Sequence, residues 1–188
     1  MTCLCAPAAL AAPVEVTRFH TPESLARLDR GPITVMNAAD TATATATGTL
    51  ESEIWRNAVK QALTNAGFTG ADTSAKVAIV RVARRTWKPE RDRERVSVGV
   101  GGSTGSYGSG VGLGIGINLG GGSREQTETT LSVTIRDLGT GQSLWEGRAV
   151  QTVRANAKEA RAQIAADRLA RALFSGFPGK SGETIRVK

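Results

Sequence analysis

The side chains that most often perform chemistry are scarce in this sequence. Its 188 residues include one histidine, His20, and two cysteines, Cys3 and Cys5. A zinc site or a serine triad needs several such groups together, and the carboxylates are scattered among arginines and lysines with no pair placed for acid–base catalysis. We therefore expect no enzymatic activity, no metal and no cofactor, and a structural or surface role for His20. A hydrolase that uses carboxylates brought together only by folding is the alternative.

One short stretch resembles part of a phosphate-binding loop. Gly179-Lys180-Ser181 matches the end of that pattern, but Phe174 stands where the leading glycine is needed, and the triplet follows a predicted helix rather than a strand. No GxGxxG dinucleotide pattern occurs in the glycine-rich part of the chain either. We expect no phosphate or dinucleotide binding.

A basic run is the strongest charged feature of the chain, whose formal net charge is +7. Between residues 81 and 95, seven basic positions alternate with three acidic ones, which suits a solvated strand end or loop. Because no nucleic-acid motif accompanies the run, we expect no nucleic acid as partner. The alternatives are a plain solvated surface and a contact with an anionic surface, which for an exported protein would belong to the cell envelope. The residues assigned to that contact are Arg84, Arg85, Lys88 and Arg91.

The glycine-rich segment from Val96 to Ser123 has no charged residue, and 12 of its 28 positions are glycine. Large aliphatic residues alternate with glycine, serine or, at position 118, asparagine, which predicts a β-hairpin with one aliphatic face. A glycine every four residues from 108 to 120 would also suit close helix packing, but so much glycine disfavours a helix. The alternatives are a surface loop or hairpin over the sheet and an assembly or membrane-contact face formed by Val96, Val98, Val100, Val111, Leu113, Ile115, Ile117 and Leu119.

The first 12 residues are small and apolar and include Ala9-Leu10-Ala11, which resembles the end of a secretory signal. Cleavage there would leave one domain, residues 13–188, without cysteine. We therefore expect export to the periplasm or to the membrane-associated envelope. Cys5 follows Leu4 rather than the small residues that precede an acylated cysteine, so a lipid anchor is not expected.

Hydrophobic periodicity predicts the elements that position these residues. Alternating or β-branched runs predict strands at 14–19, 31–36, 76–83, 127–137 and 142–153, with a turn at 138–141. Residues 22–30 and 38–47 are predicted connections. The period changes to helical from Leu50, with Thr49 as N-cap, Trp55 as a core anchor and Gly67 as the stop. A second helix is predicted to open at the capping-box pattern of residues 156–159 and to end at residues 176–178.

These elements predict an α+β two-layer sandwich. The expected sheet is mixed or antiparallel, with about five or more strands, two helices on one face and the hairpin of residues 96–123 as an extension.

Four stretches, in order along the chain, resemble the domain-of-unknown-function family 4136. They are Val14-Glu-Val-Thr-Arg-Phe-His20, Val96-Ser-Val-Gly-Val-Gly-Gly102, Leu144-Trp-Glu-Gly-Arg148, and Ala172-Leu-Phe174 followed by Phe177-Pro-Gly-Lys-Ser-Gly182. The family consists of exported bacterial envelope proteins that are often lipid-anchored. The resemblance implies a small α+β domain in the periplasm or at a membrane surface, and it provides no catalytic residues.

The function expected from these observations is that of a non-enzymatic interaction or structural module in the envelope. Its partner would be an envelope protein or an anionic envelope surface. The alternative is a homo-oligomer or membrane-contacting protein that acts through the glycine-rich hairpin.

Overall fold

A computed structural model describes residues 12–38, 48–89 and 125–188. Four predictions lie outside these residues: the signal-like start, the connector at 39–47, the contact at Arg91, and the glycine-rich hairpin with its eight aliphatic residues. The strands are β1 (Val14–Phe19), β2 (Pro32–Asn37), β3 (Thr69–Gly70), β4 (Lys76–Trp87), β5 (Gln126–Asp137), β6 (Ser143–Arg154) and β7 (Thr184–Val187). The helices are α1 (Pro22–Ala26), α2 (Gly48–Asn65) and α3 (Ala162–Phe174), with a 3-10 turn at Lys158–Ala160.

The seven strands form one mixed sheet in the order β3-β2-β4-β5-β6-β1-β7. β2 runs parallel to β3 and β4, and the other neighbours are antiparallel. α2 and α3 pack against each other and against the sheet. The predicted α+β fold, with a mixed sheet and two long helices, is confirmed.

Period-two alternation in β5 explains why one side of the sheet forms the core. Leu131, Val133 and Ile135 are fully buried, whereas the residues between them are half-exposed. Trp55 of α2 and Leu169 of α3 are buried in the same cluster. The covered face therefore contains the core, and the other face of β5 has a polar row.

Two predicted helix starts are wrong. α2 begins at Gly48, so Thr49 lies inside the helix rather than at its N-cap. Residues 156–159 do not open α3, because a 3-10 turn precedes a helix that starts at Ala162 with no side-chain cap. Tertiary hydrogen bonds hold that turn: Gln151 Nε2 donates to the Glu159 carbonyl at 2.9 Å, and the Arg84 guanidinium donates to the Ala160 carbonyl.

Other boundaries differ because short elements depend on their neighbours. The predicted connection at 22–30 begins with α1, which Thr21 and Ser24 cap reciprocally. β4 continues to Trp87, through part of the basic run, because β5 pairs with it along its whole length. The two-residue β3 and the C-terminal β7 were not predicted. Gly67, with a φ of +95°, follows α2 as predicted.

Candidate functional site

His20 and the Gly179–Ser181 triplet lie together in the structure. His20 Nε2 lies 3.0 Å from the Gly179 carbonyl oxygen, and the His20 backbone N–H donates to Ser181 Oγ at 3.0 Å. The Trp145 indole N–H donates to the Pro178 carbonyl at 3.1 Å. These bonds hold the segment after α3 against β1 and β6. The histidine and the loop triplet that the sequence analysis considered for catalysis and phosphate binding therefore make structural contacts in the fold.

Arg18 is a buried cation that the sequence analysis did not single out. Its side chain, in a residue only 4% exposed, donates to the carbonyls of Leu173 at 3.0 Å, Ser175 at 2.7 Å and Ala172 at 3.2 Å. These are the carbonyls that the end of α3 leaves unpaired, and a cation is favourable at the negative end of a helix. Burial lowers the pKa of Arg18. The sequence did contain a signal for the burial of Arg18, because it follows Val14 and Val16 at the period of two that places all three side chains on one face of β1.

The predicted anionic-contact residues do not form one cluster. Arg84 and Arg85 are adjacent in β4, so they face opposite sides of the sheet. Arg84 is on the covered face, where it donates to Glu51 Oε1 at 3.0 Å. Arg85 points outward and lies 6.0 Å from the centre of the Trp87 ring, and Lys88 pairs with Glu125 at 3.3 Å. Arg91 is outside the described residues, so the anionic contact itself stays a prediction.

Strand register places six arginines on the side of the sheet opposite α2 and α3. We call the outward-pointing residues of β4, β5, β6, β1 and β7 the open face. Its arginines are Arg81, Arg85, Arg136, Arg148, Arg154 and Arg186, and its glutamates are Glu15, Glu128 and Glu146.

Most of these arginines are available to a partner. Arg186 pairs with Glu15 at 3.0 Å. In the described part of the chain, no ion pair engages the side chains of Arg81, Arg136, Arg148 or Arg154. All four are exposed. Within the described residues, the open face therefore has six arginines and three glutamates, and four of the arginines have no ion pair.

Hydroxyl groups lie beside some of these arginines. Arg81, Ser132, Arg148, Thr17 and Thr184 form one row across five strands. The hydroxyls of Thr17 and Thr184 lie 2.7 Å apart. Since neighbouring strands are about 4.8 Å apart, Arg81 and Arg148 are roughly 10 Å from each other across Ser132. The period of two could have assigned each of these residues to one face of its own strand. Only the pairing between strands shows that they lie side by side in one row.

Two further findings concern the described residues alone. They contain no group of three or more histidine, cysteine, aspartate or glutamate side chains able to hold a metal ion. No helix among them is both long and apolar enough to cross a membrane.

The architecture defines an α+β two-layer protein with one helix-covered and one open sheet face. Its sequence matches the family model "Domain of unknown function (DUF4136)" over residues 31–179, and the chain belongs to this family. The resemblance found in the sequence is thereby confirmed.

This chain is similar in sequence to one protein and in structure to two others. An uncharacterized protein of Zymomonas mobilis, ZMO1243, is 48% identical over 61 residues, which span 32% of this chain and only 23% of that relative. A PDZ domain protein from Parabacteroides distasonis has a similar fold, with a TM-score of 0.50 and 12% identity over 93% of this chain and 39% of its own. A PelC dodecamer from Paraburkholderia phytofirmans has a TM-score of 0.46 and 13% identity over 89% and 99% of the two chains.

Proposed function

We propose that this protein is a non-enzymatic binding module of the cell envelope that attaches to an anionic lipid surface through its open face. The observation that carries the proposal is the set of four arginines on that face, Arg81, Arg136, Arg148 and Arg154, that have no ion pair among the described residues. The envelope location rests on the signal-like residues 1–12 and on the family resemblance. The non-enzymatic part is supported by the structural contacts of His20 and Ser181.

Arginine and hydroxyl groups suit lipid phosphates. A guanidinium presents a planar fork of donors that binds phosphate oxygens in pairs, and serine and threonine hydroxyls add single donors. The separation of roughly 10 Å between Arg81 and Arg148 lets each contact a different phosphate. A basic side chain near an anionic membrane contributes about 1 kcal/mol, so several are needed for stable attachment.

The test is binding of the full-length protein to vesicles, with two charge-matched variants. Arg148→Gln with Arg154→Gln removes two open-face cations, and Arg161→Gln with Arg171→Gln removes two exposed cations from the opposite side, at α3. At about 1 kcal/mol for each arginine, the first variant should bind phosphatidylglycerol-containing vesicles roughly thirty-fold more weakly. The second should stay within about two-fold of the unmodified protein, because its lost cations face away from the membrane.

The outcomes separate the alternatives. An equal loss in both variants would mean that net charge alone attracts the protein, and the open face would lose its role. Absence of binding to anionic vesicles at low salt would reject the lipid partner. A turnover activity that disappears when one polar cluster is mutated would contradict the non-enzymatic part.

Self-association is a second proposed function, favoured by the alternation of aliphatic residues with glycine, serine or asparagine at 96–100 and 111–119. An aliphatic face on such a segment would be buried against other copies or in lipid. Light scattering should then show an oligomer for the full chain and a folded monomer after deletion of residues 100–120. A full chain that is monomeric at every concentration would contradict it.

A further inference from the structure

A cavity of about 310 Å³ lies where β2 ends beside β4 and near the start of α2. Asn37 and Ala38 border it from the end of β2, Glu51 and Ser52 from the first turns of α2, and Val80 and Val82 from β4. β2 and β4 are parallel, and ligands of α/β units commonly bind at the carboxyl ends of such strands. The volume suits a small molecule.

An unpaired hydrogen-bond donor lines this cavity. Trp55 is only 1% exposed, and its indole Nε1–H has no acceptor anywhere among the described residues. Buried tryptophans usually pair this N–H, as Trp145 does with the Pro178 carbonyl. A bound molecule with an acceptor atom would supply the hydrogen bond that the Trp55 N–H lacks.

The edge of β4 adds backbone donors and acceptors to the same cavity. β2 ends at Asn37 opposite Val80, whose carbonyl accepts from the Ala38 N–H at 2.8 Å, while β4 continues to Trp87. Because strand backbone groups alternate in direction, Val82 and Arg84 direct theirs to this same edge. Within the described residues, no strand pairs with β4 on this side beyond Val80.

The charged groups around the cavity balance each other. The Arg84 guanidinium is bound to Glu51, so these two charges compensate each other. Arg81 also borders the cavity, but its side chain points to the open face and adds no charge to this site. Hydrogen-bond donors therefore surround a space with apolar walls at Val80 and Val82, and a carboxylate oxygen accepts from such donors more strongly than a neutral oxygen does.

We propose that this cavity binds a small organic carboxylate. The Trp55 indole N–H donates to a carboxylate oxygen, the free edge of β4 supplies further hydrogen bonds, and the apolar part of the ligand packs on Val80 and Val82. This site is separate from the open-face cations at Arg148 and Arg154, so vesicle binding and carboxylate binding can fail independently.

The experiment follows the indole N–H signals of the 15N-labelled full chain, which has three tryptophans. Acetate and benzoate are the probes, and benzyl alcohol is the neutral control. Trp55→Phe identifies the Trp55 signal and removes the N–H together with the five-membered ring, while one aromatic ring remains. Trp87→Phe is the matched control, because Trp87 lies on the open face.

We expect at least one carboxylate to shift the Trp55 signal saturably, with little change for benzyl alcohol. Binding followed at the Val82 and Arg84 amides should weaken at least ten-fold in Trp55→Phe and stay unchanged in Trp87→Phe. Three results would overturn the proposal: no shift with either carboxylate, an equal shift with benzyl alcohol, or a Trp55 N–H held by a long-lived water that neither carboxylate displaces. If Trp55→Phe does not fold, the Trp55 indole signal is assigned from its connectivities in the isotope-labelled unmodified protein, and the same three results are measured there.

Discussion

Arg18 and Arg148 occupy neighbouring strands but opposite faces of the sheet. In the β1–β6 ladder Arg18 lies across from Gly147, and Thr17 lies across from Arg148. Arg18 is buried and donates to three carbonyls at the end of α3, whereas Arg148 is exposed and has no ion pair to any described residue. The same side chain stabilises the fold on one face and remains available for binding on the other.

This difference shows which cations the domain requires. A buried guanidinium is tolerated because its hydrogen bonds are satisfied, and its removal leaves carbonyls without donors. An exposed cation contributes little to stability, so stability does not explain several unpaired arginines on the open face.

The largest expected effect is that of Arg18→Met. The variant removes three hydrogen bonds from the end of α3, and we expect the free energy of unfolding to fall by about 3 kcal/mol. Arg148→Met is the matched control and should stay within about 0.5 kcal/mol. Urea unfolding measures both. Equal losses would mean that the two faces contribute alike and would break the comparison.

Gly147→Ala tests how tightly the covered face is packed beside Arg18. A Cβ atom at Gly147 would lie 2.8 Å from Leu173 Cδ1 and would overlap the Trp145 ring. Such overpacking should lower the free energy of unfolding by about 2 kcal/mol. Ser132→Ala, at the open face of the neighbouring strand, should change it by less than about 0.5 kcal/mol. A neutral Gly147→Ala would show that the covered face can expand.

The smallest effect concerns Asp29, an exposed aspartate that pairs with the buried Lys76. The hydrogen bond and charge of Lys76 lower the pKa of Asp29. A lowered folded-state pKa contributes stability above the ordinary pKa of aspartate, and this is lost as the pH falls through the folded value. The stability difference between wild type and Asp29→Asn should therefore close in acid.

Denaturant unfolding across a pH series measures this difference, with Asp72→Asn, another exposed aspartate, as the control. A difference between wild type and Asp29→Asn that stays constant from neutral to acid pH would show that ionisation of Asp29 contributes nothing. It would then follow that the Lys76 contact acts by packing alone.

Particular residues show how far the sequence could predict the fold. The strand at 127–137 and the stripe around Trp55 in α2 were predictable, because period-two and period-3.6 patterns lie within each segment. The start of α3 was not predictable, since bonds from Gln151 and Arg84 hold the preceding turn. β7 has only four residues and depends on pairing with β1.

The candidate sites show the same division. The basic run was visible in the sequence, but β4 places Arg84 and Arg85 on opposite faces of the sheet. The residues of the open face come from five strands, and only the strand pairing brings them together. The unpaired Trp55 N–H has no sequence signal, because Trp55 differs from Trp145 only in what surrounds it.

The fold class, the family, the long strands and the apolar stripes of both long helices could be predicted from the residue pattern alone. The packed structure was needed to show which arginines are buried, where β2 ends beside β4, and that the Trp55 N–H has no acceptor among the described residues. The reason is the range of the interactions: periodicity acts over a few neighbouring residues, whereas Arg18 meets its carbonyl at Leu173, 155 positions away.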